Sequence, residues 1–156
     1  MAGTSETAEE SPSPYGVAFD SFDIRTLMTR KGHGGLLRTE FHAIGEDWVE
    51  LAIPWSAVLA LDEAGGTIAS GPVISLLDNA TGIAVWQRRG AIMHQVTVDL
   101  RLDYLRMPAP GRKVIGRGEC SGIDGDLALV RGIAYEDSPD DPFATATGTY
   151  MLIEQG

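Results

Sequence analysis

The stretch Ala69-Ser70-Gly71-Pro72-Val73-Ile74-Ser75-Leu76-Leu77-Asp78-Asn79-Ala80-Thr81-Gly82-Ile83-Ala84-Val85-Trp86 decides how the chain is read. Its pattern is that of one helix. Ser70 suits an N-cap, and Pro72 suits the first turn, where a missing N–H costs nothing. Val73, Leu76, Leu77, Ala80, Ile83 and Ala84 form one apolar stripe; Ile74, Asp78, Thr81 and Val85 lie on the opposite side. A helix without a polar face is usually a buried one. One carboxylate, Asp78, sits in its middle. A charge in that setting is costly unless it is paired or used, which makes Asp78 the first candidate functional residue. Gln87-Arg88-Arg89-Gly90 closes the helix, with basic residues at the negative dipole end and Gly at the C-cap.

Working outward, Leu36 to Ile44 and Trp48 to Ile53 read as two strands joined at Gly45-Glu46-Asp47, with Val49, Leu51 and Ile53 on one face. After the helix, Ile92, His94, Val96, Val98, Leu100, Leu102 and Tyr104 alternate with Met93, Gln95, Thr97, Asp99, Arg101 and Asp103. That strict period of two predicts a long, half-buried strand with the first set inward. Val114 to Ile123, Leu127 to Tyr135 and Phe143 to Ile153 give three more strands, the first two joined by a hairpin turn at Asp124-Gly125. Gly116, Gly118 and Gly122 share a strand face, a sign that another backbone comes close. The central helix is the expected neighbour. The predicted order is two strands, a long helix, then four strands in meander. This is an α+β layout, a long central helix wrapped by a curved antiparallel sheet of five to six strands.

Residues 1–14 are Ser, Thr, Glu and Pro with little to bury, and read as a disordered tail ahead of a single domain over 15–156. Within that domain, 17–31 carries a loose amphipathic helical stripe of Phe19, Phe22, Ile24, Leu27 and Met28. The 156 residues carry a formal charge of −10 and 44% apolar residues. The acidic balance argues against nucleic-acid binding, which needs a basic patch. No apolar run reaches membrane-spanning length, and the N-terminus lacks a signal-peptide layout. The single cysteine, Cys120, excludes an internal disulfide and suits a reducing cytoplasm. His33, His42 and His94 are too scattered for a metal site. His33-Gly34-Gly35 reads as a loop before the first strand, His42 as a strand side chain, and His94 as a partly buried one.

The element order and three segments resemble the hotdog fold and, within it, the PaaI-type acyl-CoA thioesterases. The first is Gly66-Thr67-Ile68-Ala69-Ser70-Gly71-Pro72-Val73 followed by Leu76-Leu77-Asp78-Asn79-Ala80, where the family shows His-Gly-Gly and then an acid on the central helix. The second is Val96-Thr97-Val98-Asp99-Leu100-Arg101-Leu102-Asp103-Tyr104-Leu105-Arg106, similar to the family's long third strand. The third is Ala144-Thr145-Ala146-Thr147-Gly148-Thr149-Tyr150, similar to its last. The resemblance covers residues 33–153. Two positions depart from it. Ala69 stands where the family has His, and Glu63 aligns with a family amide.

The resemblance implies hydrolysis of a small, fatty or aromatic acyl-CoA. Asp78 would be general base or nucleophile, acting across a dimer interface, and the Ser70 and Gly71 backbone would polarise the thioester carbonyl. A helix start offers unpaired N–H donors and a positive dipole end for that task. Glu63, Asn79, Thr81 and Arg106 are the candidate substrate-binding residues, Arg106 with Arg101, Arg112 and Lys113 for the phosphates of coenzyme A. Each has a structural alternative: Asp78 as a paired buried acid, Ser70 and Gly71 as an ordinary cap and turn, Asn79 and Thr81 as helix-bonded side chains, the basic residues as a solvated face. No metal and no cofactor beyond the substrate's coenzyme A are expected. The expected partner is a second copy of the chain, in a homodimer or a dimer of dimers, since a hotdog monomer leaves a sheet edge open. The alternatives are a non-catalytic hotdog domain binding an acyl or aromatic ligand, and an acyl-thioester dehydratase or hydratase.

Overall fold

The computed structural model describes residue 24, residues 32–62, residue 64 and residues 66–153. The tail over 1–14, Glu63 and all of 17–31 except Ile24 lie outside the described residues. Ile24 is helical and buried. The elements in chain order are α1 (Gly32–Leu37), β1 (Glu40–Ile44), β2 (Trp48–Ile53), a 3-10 turn (Ala57–Leu59), α2 (Ser70–Arg89), β3 (His94–Tyr104), β4 (Val114–Asp124), β5 (Leu127–Tyr135) and β6 (Ala144–Ile153). The expected first strand therefore begins at Glu40. Its first residues, with His33-Gly34-Gly35, form the short helix α1 instead.

The sheet is antiparallel throughout, in the order β1-β2-β4-β5-β6-β3. Only β4, β5 and β6 form a meander. β3 pairs with β6 at the far edge, so the expected four-strand meander is corrected. A hairpin turn too short to reach elsewhere would have placed β3 beside β4. The connection over 105–113 is long enough to cross instead.

α2 lies on the inner face of this sheet. Val73, Leu76, Leu77, Ala80, Ile83 and Ala84 pack with Val49, Leu51 and Ile53 of β2, Val114 of β4, Ala134 of β5 and Ala144 and Ala146 of β6. Each large aliphatic side chain buried this way is worth about 1.5–3 kcal/mol. The helix reaches the sheet because the facing strand residues are small. At Gly118 a Cβ would stand 2.4 Å from the carbonyl of Ala80 and the amide nitrogen of Thr81. At Gly122, by contrast, a Cβ would meet nothing within 4 Å.

The helix ends as its sequence demands. Gly90 is left-handed at φ 68°, its N–H donating to Gln87 O, and Ala91 N–H reaches Trp86 O. This pairing satisfies carbonyls of the last turn. Its start differs from expectation. The N-cap is Ala69, Ser70 is the first helical residue, and no side chain caps the turn. Among the described residues no helix is long and apolar enough to cross a membrane.

Candidate functional site

Asp78 is not walled into the core. It is half-buried and lines an open cavity of about 200 Å³ with Asn79, Gly82, Ile83, Trp86, Gln95, Thr97 and Tyr150. Asp78, Asn79, Gly82, Ile83 and Trp86 are i, i+1, i+4, i+5 and i+8, one stripe of a helix. That stripe faces the ends of β3 and β6. The opposite wall comes from Gln95 and Thr97 of β3 and Tyr150 of β6, with Thr97 and Tyr150 directly paired across the two strands.

Two hydroxyls converge on one carboxylate oxygen. Thr97 Oγ1 donates to Asp78 Oδ1 at 2.9 Å. Tyr150 Oη lies 2.9 Å from the same oxygen and 2.6 Å from the Asp78 backbone carbonyl. Burial pushes the Tyr150 phenol well above its ordinary range, and the neighbouring Asp78 charge pushes it further. Tyr150 therefore stays a donor at every pH near neutrality. Both donors act on Oδ1, and no described residue bonds Oδ2. Hydrogen bonds to a charged group hold it in one rotamer as well as stabilising it.

The other expected residues fall in three places. Asn79 is in the cavity wall. Thr81 is fully buried behind it. Its hydroxyl donates to Leu77 O at 2.7 Å and stands 3.1 Å from Tyr150 Oη, so it braces the tyrosine. Ser70 and Gly71 are at the start of α2, both exposed. They do not line the cavity, since seven residues from Gly71 to Asp78 amount to about 10 Å along a helix axis.

Around that helix start, Tyr104 Oη reaches Ser70 O at 3.4 Å, and Ser75 Oγ donates to Gly71 O at 3.1 Å. His33 Nε2 lies 2.9 Å from Ser75 Oγ, so the residue of the His33-Gly34-Gly35 stretch does touch α2. Arg106 is elsewhere, its guanidinium bonded to both oxygens of Glu136 and to Asp141. Arg101 and Arg112 are likewise ion-paired, to Asp103 and Asp137.

Thr97, Tyr150, Gln95 and Trp86 are the cavity residues that pattern reading does not single out. Strict alternation puts Thr97 on the outward face of β3, and His94, Val96 and Val98 inward. The structure reverses this: those three are exposed. The register of β3 against β6 slips between Thr97 and Asp99, a β-bulge at Val98. Before the bulge the odd-numbered residues face the helix. After it Leu100 and Leu102 pack on the core. A bulge inserts one unpaired residue and so exchanges the faces of everything beyond it.

No family model matches the chain. A Thermoplasma acidophilum protein named "Putative esterase Ta0293" is 25% identical over 134 residues, which are 86% of this chain and 98% of that protein. The crystal structure of thioesterase HI1161 from Haemophilus influenzae superposes with a TM-score of 0.76 at 18% identity, over 88% of this chain and 93% of that one. A mutant form of the phenylacetic acid degradation protein PaaI from Thermus thermophilus superposes with a TM-score of 0.64 at 23% identity, over 76% and 96%. One helix cradled by a six-stranded antiparallel sheet, shared with these structures over most of the chain, is the hotdog fold.

Proposed function

We propose that the protein hydrolyses the thioester of an acyl-CoA, with Asp78 as the general base or nucleophile. The observation that carries this is the double hydrogen bond from Thr97 and Tyr150 to Asp78 Oδ1 in an open cavity. A carboxylate held in one orientation, with its second oxygen free, can attack an acyl carbon or take a proton from a water that does so. The names of the similar proteins, a thioesterase and an esterase, agree with hydrolysis at an acyl centre.

The developing oxyanion needs donors about 3 Å away. The uncapped first turn of α2 supplies them at Ser70 and Gly71. Within one chain these lie too far from Asp78 to serve the same carbonyl. The reading therefore includes a second copy, whose helix start completes the site. β3 is the strand through which the copies would meet. It is an edge strand of eleven residues with Val96 and Val98 exposed, and such an edge is prone to pair. The natural setting is the cytoplasm, where buried Cys120 stays reduced.

The test is release of free thiol from a panel of short, long and aromatic acyl-CoAs by wild type and Asp78→Asn. Turnover of at least one substrate that Asp78→Asn lowers by roughly a thousandfold or more supports the reading. Absence of turnover on every substrate overturns it, and undiminished turnover by Asp78→Asn removes Asp78 from it.

A further inference from the structure

His33 is a polar side chain that the chemistry above does not use. It reaches from α1 to the start of α2, where Nε2 stands 2.9 Å from Ser75 Oγ, 42 residues on. The Ser75 hydroxyl in turn donates to Gly71 O at 3.1 Å. A carbonyl oxygen only accepts, so the single hydroxyl proton of Ser75 is spent on Gly71 O. The hydroxyl oxygen then accepts from His33, which assigns a hydrogen to Nε2. The chain of bonds runs one way, from α1 through Ser75 to the carbonyl of Gly71.

The first turn of α2 is short of other supports. Its N-cap is Ala69, and no side chain caps it. Gly71 is exposed, and even a Cβ there would meet nothing within 4 Å, so packing does not hold it. Glycine also gives up more backbone freedom on folding than any other residue. A turn of this kind frays unless side chains tie it down. Tyr104 Oη adds only a long contact at Ser70 O, 3.4 Å. α1, by contrast, is anchored. Leu37 is buried in the core, and the N–H groups of Arg38 and Thr39 close the helix on Gly35 O and Gly34 O. His33 therefore ties a loose turn to a fixed one. Ser75 lies on the face of α2 that carries Gly71 four residues before it and Asp78 three residues after it.

We propose that His33, acting through Ser75, is a positioning residue that keeps the first turn of α2 closed and so holds the Gly71 N–H in place. This rests on the reading of that N–H as an oxyanion donor. A donor contributes fully only when it already stands where the charge develops. A turn that opens part of the time offers its donor only part of the time. The oxyanion forms on the way to reaction and is absent from the bound substrate. Loss of His33 should therefore lower kcat and leave KM nearly unchanged.

Two measurements test this. One is amide hydrogen exchange at Val73, Ile74 and Ser75, which make the first main-chain bonds of α2. The other is steady-state thiol release from acyl-CoAs. His33→Leu keeps bulk without a donor. It should quicken that exchange and lower kcat, each by roughly two- to tenfold, with KM within about twofold of wild type. His33→Gln keeps an N–H donor at similar reach and should restore both. In a Ser75→Ala background His33→Leu should change neither further, and comparing the two backgrounds cancels the helix preference of alanine itself. Exchange and kcat that stay at wild-type values in His33→Leu overturn the proposal. So does an equal loss with and without the Ser75 hydroxyl, and so does faster exchange with kcat unchanged. A wild type that releases no thiol from any acyl-CoA loses the hydrolase reading, and the exchange alone then decides whether His33 holds the turn. A wild type that turns over acyl-CoAs while His33→Leu matches it loses this proposal alone.

Discussion

Thr97 Oγ1 stands 2.9 Å from Asp78 Oδ1 because β3 carries one extra residue just after Thr97. Without the bulge at Val98 the strand could not present Gln95 and Thr97 to the helix at one end and Leu100 and Leu102 to the core at the other. The bulge thus serves two demands at once. It lines the cavity with polar side chains and keeps the rest of the strand apolar inward.

Removing either hydroxyl should loosen Asp78 without deleting it. Thr97→Val and Tyr150→Phe each lose a bond to a charged acceptor, a contribution of about 1.5–3 kcal/mol. If that positioning matters in the transition state, kcat falls by roughly ten- to a hundredfold while KM changes little. Tyr150→Phe also frees Thr81 Oγ1, so its melting temperature should drop more than that of Thr97→Val. Steady-state thiol release and thermal melts measure both. An unchanged kcat in the two variants would remove the positioning role.

Much of the fold is legible in the amino-acid pattern, and the reason is burial. Val73, Leu76, Leu77 and Ala80 repeat at helical spacing, and Val49, Leu51 and Ile53 at strand spacing, because each faces one dry interior. Asp78 is legible as the one charge within such a pattern. Thr97 is not. A bulge leaves no mark in an alternating sequence, and His94-Gln95-Val96-Thr97-Val98-Asp99 alternates perfectly across it. The outer face of an edge strand is also free to be apolar, which makes Val96 and Val98 look like core. Tyr150 escapes notice for a different reason. Its partner Asp78 is 72 residues away, and only the pairing of β3 with β6 brings their wall together.

The separation of Gly71 from Asp78 along one helix has a consequence for mixed assemblies. If each site takes its oxyanion donor from one copy and its carboxylate from the other, two inactive variants should rescue each other. Gly71→Pro removes the N–H, and Asp78→Asn removes the base. In a mixed dimer one site then carries both lesions and the other carries none. Random mixing should restore about a quarter of wild-type activity. Gly71→Ala is the control, since its Cβ would meet nothing within 4 Å and its N–H remains. Absence of recovery, in a mixture shown to exchange partners, would place both groups in the same chain. A mass in solution equal to one chain would exclude the shared site.

Gly118 measures how closely α2 rides on the sheet. Any side chain there meets backbone, at 2.4 Å from Ala80 O and Thr81 N, and backbone cannot rotate away. Gly118→Ala should therefore push the helix off β4 and cost at least about 3 kcal/mol, the upper range for overpacking. The displacement would also reach Asp78, two residues before Ala80, so activity should fall with stability. Gly122→Ala, in open space on the same strand, should lie within about 0.5 kcal/mol of wild type. Urea unfolding of the two variants decides it.

Glu136 provides a stability term whose dependence on pH has a definite sign. Its side chain is buried beneath the connection between β3 and β4. It accepts from both Arg106 nitrogens at 3.0 and 2.8 Å and from Ala109 N–H at 2.6 Å. Burial by itself would raise its carboxyl; the Arg106 and Ala109 hydrogen bonds outweigh this and hold it below the ordinary carboxylate range. A group lowered on folding stabilises the protein fully above its unfolded value, near 4.3. That stabilisation is lost as pH falls through the lower folded value. Glu136→Gln should consequently cost about 1–3 kcal/mol at pH 7, by weakening the pairing with Arg106. The gap between variant and wild type should close in strong acid, where wild type is also neutral at this position. Urea unfolding of both proteins from pH 7 down to about 3 follows the gap, and a gap that stays constant over that range would show that the Glu136 charge contributes nothing to holding the connection over 105–113 in place.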